Sequence, residues 1–196
     1  MLNEKEISEN FDRYSELLVK FTDKERVENI KALLEKYGQR IAMCPSSTRE
    51  QYHGAYLGGL VKNSINVLTI ANKMSKIYTD LELGLEGNLA LCCLLHDVGK
   101  IGTIERDRYV MNDNSYTRKN GTVFNIEENM PPIHHATNMI LQDCQIRLSD
   151  DEYQSILLAS AGVWSMNELK EYAYKENNLS MLIMQAKRIS IQAEKR

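Results

Sequence analysis

Apolar residues recur every three or four positions along most of the chain, which is the spacing of an amphipathic helix. The pattern predicts helices over about 6–21, 24–37, 59–78, 82–97, 131–145, 150–160 and 179–194. Cap signals agree with two of these boundaries. Thr22 and Asp23 can cap the second helix, which is predicted to end at Gly38, and Ser149 with Glu152 forms a capping-box pattern before the sixth.

One segment departs from the helical spacing. Around residues 107–125, Tyr109-Val110 and Thr122-Val123-Phe124 flank a stretch rich in Asn and Asp, which predicts a small β-hairpin or an ordered loop. No repeat, low-complexity tract or linker interrupts the chain. We therefore expect an all-α fold with a small β-hairpin insertion, in a single domain over 1–196 that has N-terminal helices in 1–40 and its core in 41–196.

Composition narrows the class of protein only slightly. The 196 residues carry 24 basic and 27 acidic side chains, a net charge of −3, so strong nonspecific nucleic-acid binding is not expected, although a local basic patch stays open. No apolar stretch reaches the roughly 20 residues of a membrane span, and the acidic start of the chain does not resemble a secretory signal. Four cysteines without a Cys-x-x-Cys pair favour buried thiols in a reducing cytoplasm.

The sequence LLHDVGK places His96 and Asp97 side by side at the end of the fourth predicted helix. Adjacent side chains on a helix point about 100° apart, but near a frayed helix end both can turn toward one ion. Imidazole and carboxylate together suit a divalent metal such as Mn, Fe, Ni, Co, Zn or Mg, which could activate a water and neutralise a phosphoryl oxygen. The alternative is that Asp97 caps a turn and His96 packs in the core.

The context of the doublet resembles the HD-domain metal-dependent phosphohydrolases. YHGAYLGGLVKNSINVL precedes it, and CPSSTREQYHGAYLGG, RYVMNDNSYTRKNGTVFNI and HHATNMILQ…LSDDEYQSILL look like the HD proteins of tailed bacteriophages. The first part is also similar to the HD domain of bacterial 3′-5′ exoribonucleases. This resemblance covers the chain from about residue 40 and implies a helical HD core, a divalent metal and hydrolysis of a phosphoric ester.

In that family four side chains hold the metal: a histidine after the Gly-Gly, the His-Asp doublet and an aspartate on a late helix. The doublet matches His96 and Asp97, but Asn63 and Lys187 occupy the other two positions. An amide oxygen is a poor substitute for imidazole, and an ammonium has no lone pair, so the resemblance implies a degenerate metal site. We expect Lys187 to form a salt bridge with Asp97 in place of the ion, since a buried carboxylate without a partner costs several kcal/mol. The alternative is that Asn63 and Lys187 are solvated helix residues.

Further side chains fall in segments that the family brings to its pocket. Arg49 and His53 lie in the loop before the Gly-Gly and could contact a phosphate, and Lys100 matches the family's phosphate-facing lysine. His135 matches a histidine that binds a second metal or the substrate. Each also has a structural interpretation: an ordered loop, a surface lysine, or exposed polar residues at a helix start. A further alternative is a rearranged metal site formed by His53, His96, Asp97 and His135.

The resemblance and the two replaced ligands together indicate a phosphohydrolase-like protein with a degenerate metal site. Such a protein would bind a nucleotide, another phosphate-bearing molecule or a protein partner rather than catalyse efficiently. The alternative is an active metal-dependent phosphohydrolase that acts on nucleotides or phosphodiesters through variant ligands. In either case we expect a cytoplasmic protein, in the bacterial host if a phage encodes it.

Overall fold

The computed structural model describes residues 2–85, 87–161 and 175–194. Over these residues the protein is mainly helical with one small antiparallel sheet, as the sequence predicts. The helices in chain order are α1 (Glu4–Phe21), α2 (Val27–Met43), α3 (Gly59–Asp80), α4 (Leu89–Leu95), α5 (Ser115–Lys119), α6 (Ile133–Asp143), α7 (Asp150–Ala161) and α8 (Asn178–Glu194). A 3₁₀ helix spans Val98–Ile101, and strands β1 (Tyr109–Met111) and β2 (Phe124–Ile126) form the sheet.

Helix α2 differs from its prediction at both ends. It begins at Val27, and the Asp23 carboxylate accepts a hydrogen bond from the backbone N–H of Arg26 in the turn before it. It continues through Gly38, which is buried beside the ring of Phe11 on α1. The predicted end at Gly38 is wrong because the glycine serves close helix packing there, whereas Ile41 beyond it is fully buried in the core and holds the last turn.

Helix α4, which leads into the His-Asp doublet, is shorter than predicted. It begins at Leu89 instead of 82, and the Asn88 side chain caps it by accepting a hydrogen bond from the backbone N–H of Leu91. The apolar residues before it lie in an irregular segment in which Glu82 has a φ of 56°. Helical spacing alone could not separate this segment from the helix, because both carry leucines at similar intervals.

Helix α3 is the centre of the fold and packs against α1, α2, α4 and α8. Its start needs the first glycine of the Gly-Gly pair, since Gly58 has a φ of 82°, in the left-handed region that favours glycine. Tyr14 of α1 donates a hydrogen bond to the backbone carbonyl of Leu94, 2.9 Å away, inside the core. These contacts hold the end of α4 against α1 and α3.

A buried carboxylate fixes the other end of α4. The two oxygens of Glu152, on α7, receive two hydrogen bonds from the Arg26 guanidinium, at 2.6 and 3.0 Å. The same carboxylate accepts from the backbone N–H groups of Asn88 and Ser149. Ser149 in turn accepts from the Glu152 N–H, which confirms the predicted capping box. One side chain thereby ties α2, α4 and α7 together.

The segment after the doublet turns sharply and packs against α6. Gly99, in the 3₁₀ helix, donates its N–H to Thr137 Oγ1 at 3.0 Å, and a Cβ on this residue would overlap the backbone of Ile133. The predicted hairpin around 107–125 follows, and its two strands pair with Tyr109 opposite Ile126. Helix α5 lies between the strands and was not predicted.

Two further features bear on the sequence-based expectations. All four cysteines are free and buried, as expected: Cys44, Cys92, Cys93 and Cys144. Among the residues that the structure describes, no helix combines the length and the apolar character needed to cross a membrane.

Candidate functional site

The His-Asp doublet lies at the junction between α4 and the 3₁₀ helix. His96 is the C-cap of α4 and Asp97 is the N-cap of the 3₁₀ helix, so the backbone turns between them. Both residues are fully buried. The change of direction lets both side chains face the same interior region, which a continuous helix would not allow.

Two lysines engage the buried carboxylate of Asp97, one on each oxygen. Lys187, on α8, donates a hydrogen bond from Nζ to Asp97 Oδ1 at 2.8 Å and another to the carbonyl of Ala159 at 2.8 Å. Lys100 Nζ lies 2.8 Å from Oδ2 and also donates to the carbonyl of Ser46. The structure thus confirms the expected Lys187–Asp97 salt bridge and adds Lys100 as a second partner.

These charges dominate the electrostatics of the cluster formed by Asp97, Lys100 and Lys187. Burial by itself would raise the pKa of Asp97, but the ammonium groups of Lys100 and Lys187 outweigh it and hold this pKa well below 3.8. Burial lowers the pKa of Lys187 below 10.5, against the attraction of Asp97. With both lysines protonated, one carboxylate faces two ammonium groups, and the cluster carries a net charge of +1.

The ring of His96 has a defined orientation beside this cluster. Its Nδ1 lies 2.8 Å from the carbonyl oxygen of Cys93, and a carbonyl can only accept, so Nδ1 carries a proton. In the neutral ring Nε2 then carries a lone pair and no proton, and it lies 3.4 Å from Asp97 Oδ2. This is the form in which imidazole binds a metal, but the carboxylate next to it is already engaged by two cations.

Asn63, at the position where the resemblance expects a histidine, points into the core. It is 1% exposed, and its Oδ1 accepts a hydrogen bond from Ser190 Oγ at 3.1 Å. Ser190 is on α8, one turn after Lys187, so α8 contacts both α3 and Asp97 through the same face. The alternative that Asn63 and Lys187 face solvent is wrong.

The donor set at this point does not fit a divalent metal. An ion bound to Asp97 would have to displace the Lys187 ammonium, which cannot coordinate while protonated and repels a cation. The amide oxygen of Asn63 is held by Ser190. Within residues 2–85, 87–161 and 175–194, no three side chains of His, Cys, Asp or Glu are grouped closely enough to hold an ion.

A cavity of about 660 Å³ opens beside the loop that precedes α3. His53 lines it, and the ring nitrogen Nε2 is buried without a hydrogen-bond partner. Burial, and then the charge of Lys100, lower the pKa of His53 to about 4, so the ring is neutral at pH 7. The other polar residues that line this cavity include one arginine, two tyrosines and two carboxylates. They are Glu50, Gln51, Tyr52, Tyr56, Arg118, Thr122 and Glu194.

The end of α8 forms one wall of this cavity. Glu194 Oε1 accepts hydrogen bonds from the backbone N–H of Gly54, at 2.9 Å, and from the Tyr56 hydroxyl, at 3.1 Å. Lys187, Ser190 and Glu194 are spaced at i, i+3 and i+7, so they share one helical face. That face of α8 connects the charged cluster to the cavity. The helical spacing of Ser190 and Glu194 from Lys187 was the signal in the sequence that could have identified these two residues.

Of the remaining sequence candidates, Arg49 and His135 lie outside the cluster, whereas Lys100 belongs to it. Arg49 is exposed, and its backbone pairs with Thr122 next to the cavity. His135 is exposed on the first turn of α6, with its ring 4.2 Å from that of His134. Lys100, for which the alternatives were a phosphate contact or a surface lysine, is 6% exposed, so the surface alternative is wrong; its ammonium is engaged by Asp97 and Ser46.

Comparisons with known proteins add no relative to this description. No protein-family model, no curated protein sequence and no solved structure matches the chain.

Proposed function

We propose that the chain is an HD-type protein that has lost its metal centre and binds a small phosphate-bearing molecule, such as a nucleotide, without efficient hydrolysis. The observation that carries this proposal is the hydrogen bond from Lys187 to Asp97, which puts an ammonium where the HD resemblance expects an ion. A lysine there satisfies the carboxylate electrostatically but cannot activate a water as a metal does.

The arrangement of the motifs supports the HD part of the proposal. The resemblance assigns a metal to four positions in three segments that are far apart in sequence: one on α3, the adjacent pair after α4, and one on α8. In the structure His96 lies beside Asp97, Lys187 reaches Asp97, and Asn63 is bonded to the same face of α8 that carries Lys187. Chance alignment of three distant segments would not be expected to join them through one face of α8.

The cavity beside His53 supports the ligand part. Its volume of about 660 Å³ lies in the range of small-molecule sites. Arg118 offers an exposed guanidinium for a phosphate, and Tyr52 and Tyr56 offer aromatic faces for a base. The carboxylates of Glu50 and Glu194 can accept hydrogen bonds from hydroxyl or amino groups, and they disfavour a ligand with several negative charges.

A binding experiment without metal tests this function. Isothermal titration of the EDTA-treated protein with nucleoside monophosphates is expected to give saturable binding, and Mn²⁺ is expected to produce no phosphate release. His53→Ala should weaken binding by about tenfold, or 1.4 kcal/mol, since it removes the unpartnered ring nitrogen that we expect the ligand to contact. His135→Ala, an exposed histidine on α6, is the matched control and should bind as the wild type does.

Three results would count against the proposal. Phosphate release that depends on Mn²⁺ and disappears in His96→Ala would favour the alternative, an active phosphohydrolase with variant ligands. The absence of binding to any nucleoside monophosphate, or equal weakening in His53→Ala and His135→Ala, would reject the cavity as the ligand site.

A further inference from the structure

A second cavity lies between the β-hairpin and the 3₁₀ helix, and Lys100 is among its lining residues. Its volume is about 200 Å³, and it shares no lining residue with the cavity beside His53. The end of α2, the 3₁₀ helix and the hairpin enclose it. The complete lining is Arg40, Met43, Cys44, Pro45, Leu57, Lys100, Ile101, Asp107, Arg108, Tyr109, Met111 and Phe124.

The apolar part of this cavity suits a flat ring. Tyr109 and Phe124 meet edge to face, with ring centroids 6.3 Å apart, and form one wall. Ile101 and Cys44 are buried at its base. An apolar cavity of about 150 Å³ in another protein binds benzene, so about 200 Å³ accommodates one aromatic ring with a small substituent.

Two of the three cations that line the cavity are already engaged. Arg40 donates to the Asp107 carboxylate and to the carbonyls of Ile101, Ile104 and Arg106. Lys100 is held by Asp97 and Ser46. Neither cation needs a ligand to balance its charge, since Arg40 pairs with Asp107, which also lines the cavity, and Lys100 pairs with Asp97.

Arg108 is different. Its Nη1 donates to the carbonyl of Pro131 at 2.8 Å, but its Nε is buried and has no hydrogen-bond partner. Its guanidinium also interacts with the Tyr109 side chain, but no carboxylate within the described ranges forms an ion pair with it. A buried N–H without an acceptor is costly, and an uncompensated guanidinium matches an oxyanion in charge and in hydrogen-bond geometry.

We propose that this cavity, lined by Tyr109, Phe124 and Arg108, binds a small aromatic carboxylate. The ring would pack against the wall of Tyr109 and Phe124, and the carboxylate would accept a hydrogen bond from Arg108 Nε. This site is independent of the proposed function, because the ligand would contact Tyr109, Phe124 and Arg108, and the cavity shares no lining residue with the one beside His53.

Benzoate and its neutral isostere benzamide test the proposal. In ¹H–¹⁵N NMR titrations of the wild-type chain, benzoate is expected to shift the amides of the hairpin and the 3₁₀ helix saturably, with a Kd in the millimolar range or tighter. Benzamide, which has the same shape without the charge, should bind about tenfold more weakly. Arg108→Gln should abolish the preference for benzoate, and Arg106→Gln, an exposed neighbour whose contacts are made by its backbone, should preserve it.

Several outcomes would overturn this inference. They are the absence of saturable shifts around the cavity with benzoate, equal affinity of the wild type for benzoate and benzamide, and a preference for benzoate that survives in Arg108→Gln. The comparison of the two probes needs only the wild-type protein, so it decides the question even if Arg108→Gln does not fold.

Discussion

Replacing Asp97 by Asn is expected to lower the free energy of unfolding by about 3–5 kcal/mol, which is the range for removing one partner of a buried ion pair. The substitution keeps the shape of the side chain but leaves the ammonium groups of Lys100 and Lys187 together in the interior without a counter-charge. Lys187→Met should cost less, because Asp97 and Lys100 remain as a balanced pair and methionine preserves much of the apolar stem. Urea denaturation at pH 7 measures both.

The double substitution Asp97→Asn with Lys187→Met tests whether the effects of the two single substitutions on stability are coupled or simply additive. Lys187→Met removes one uncompensated cation from the Asp97→Asn protein, so it should stabilise that background although it destabilises the wild type. The pKa of Asp97 is depressed in the folded state, so its contribution is fully present above the unfolded-state pKa of about 4 and is lost as the pH falls through the lower folded-state pKa. Equal effects of Lys187→Met in both backgrounds would show that the two side chains are not coupled.

The double substitution Asn63→His with Lys187→Asp is expected to create a divalent metal site. It would place two imidazoles and two carboxylates at the four positions that the HD resemblance assigns to the ion, and it removes the Lys187 ammonium while Lys100 stays beside Asp97 Oδ2. The affinity for Mn²⁺ or Zn²⁺ should rise from weaker than about 1 mM to about 1 μM, or about 4 kcal/mol. Calorimetric titration and metal analysis of the purified protein measure this gain.

The control for this prediction is Asn63→His with Lys187→Met, which removes the ammonium but supplies no second carboxylate. It should bind metal more weakly than the variant with Lys187→Asp. The melting temperature gives an independent readout, since the added carboxylate repels Asp97 without metal and a bound ion reverses that cost. If the Asp variant binds no ion, then position 63 or position 187 is not where the resemblance places a ligand.

The sequence predicts the helical segments well and some of their ends poorly. Helical spacing reports which residues face the core, and most buried residues of α1, α3 and α8 follow it. The ends depend on tertiary contacts that the spacing does not contain. Gly38 looks like a helix stop but lies inside α2, because Phe11 packs on it. The start of α4 is set by Asn88, whose backbone N–H is held by Glu152 from a distant helix.

Some contacts of the candidate site could likewise be predicted from the sequence, and others could not. The pairing of Lys187 with Asp97 could be predicted, because a buried carboxylate needs a cation and the late helix offers one at the expected position. The second cation, Lys100, could not be assigned to the same carboxylate, since a position three residues after Asp97 is also compatible with the surface. The carbonyls of Ala159 and Ser46 that complete the ammonium contacts carry no sequence signal, as every residue has a backbone carbonyl.

The central claim is that the ammonium of Lys187 stands in for a divalent ion at Asp97, and a crystal structure of the wild-type protein soaked in MnCl₂ near neutral pH tests it most directly. We predict no anomalous peak at the Asp97 carboxylate, and Lys187 Nζ within about 3 Å of Oδ1. A manganese ion bonded to Asp97, with the Lys187 side chain turned into solvent, would contradict the account.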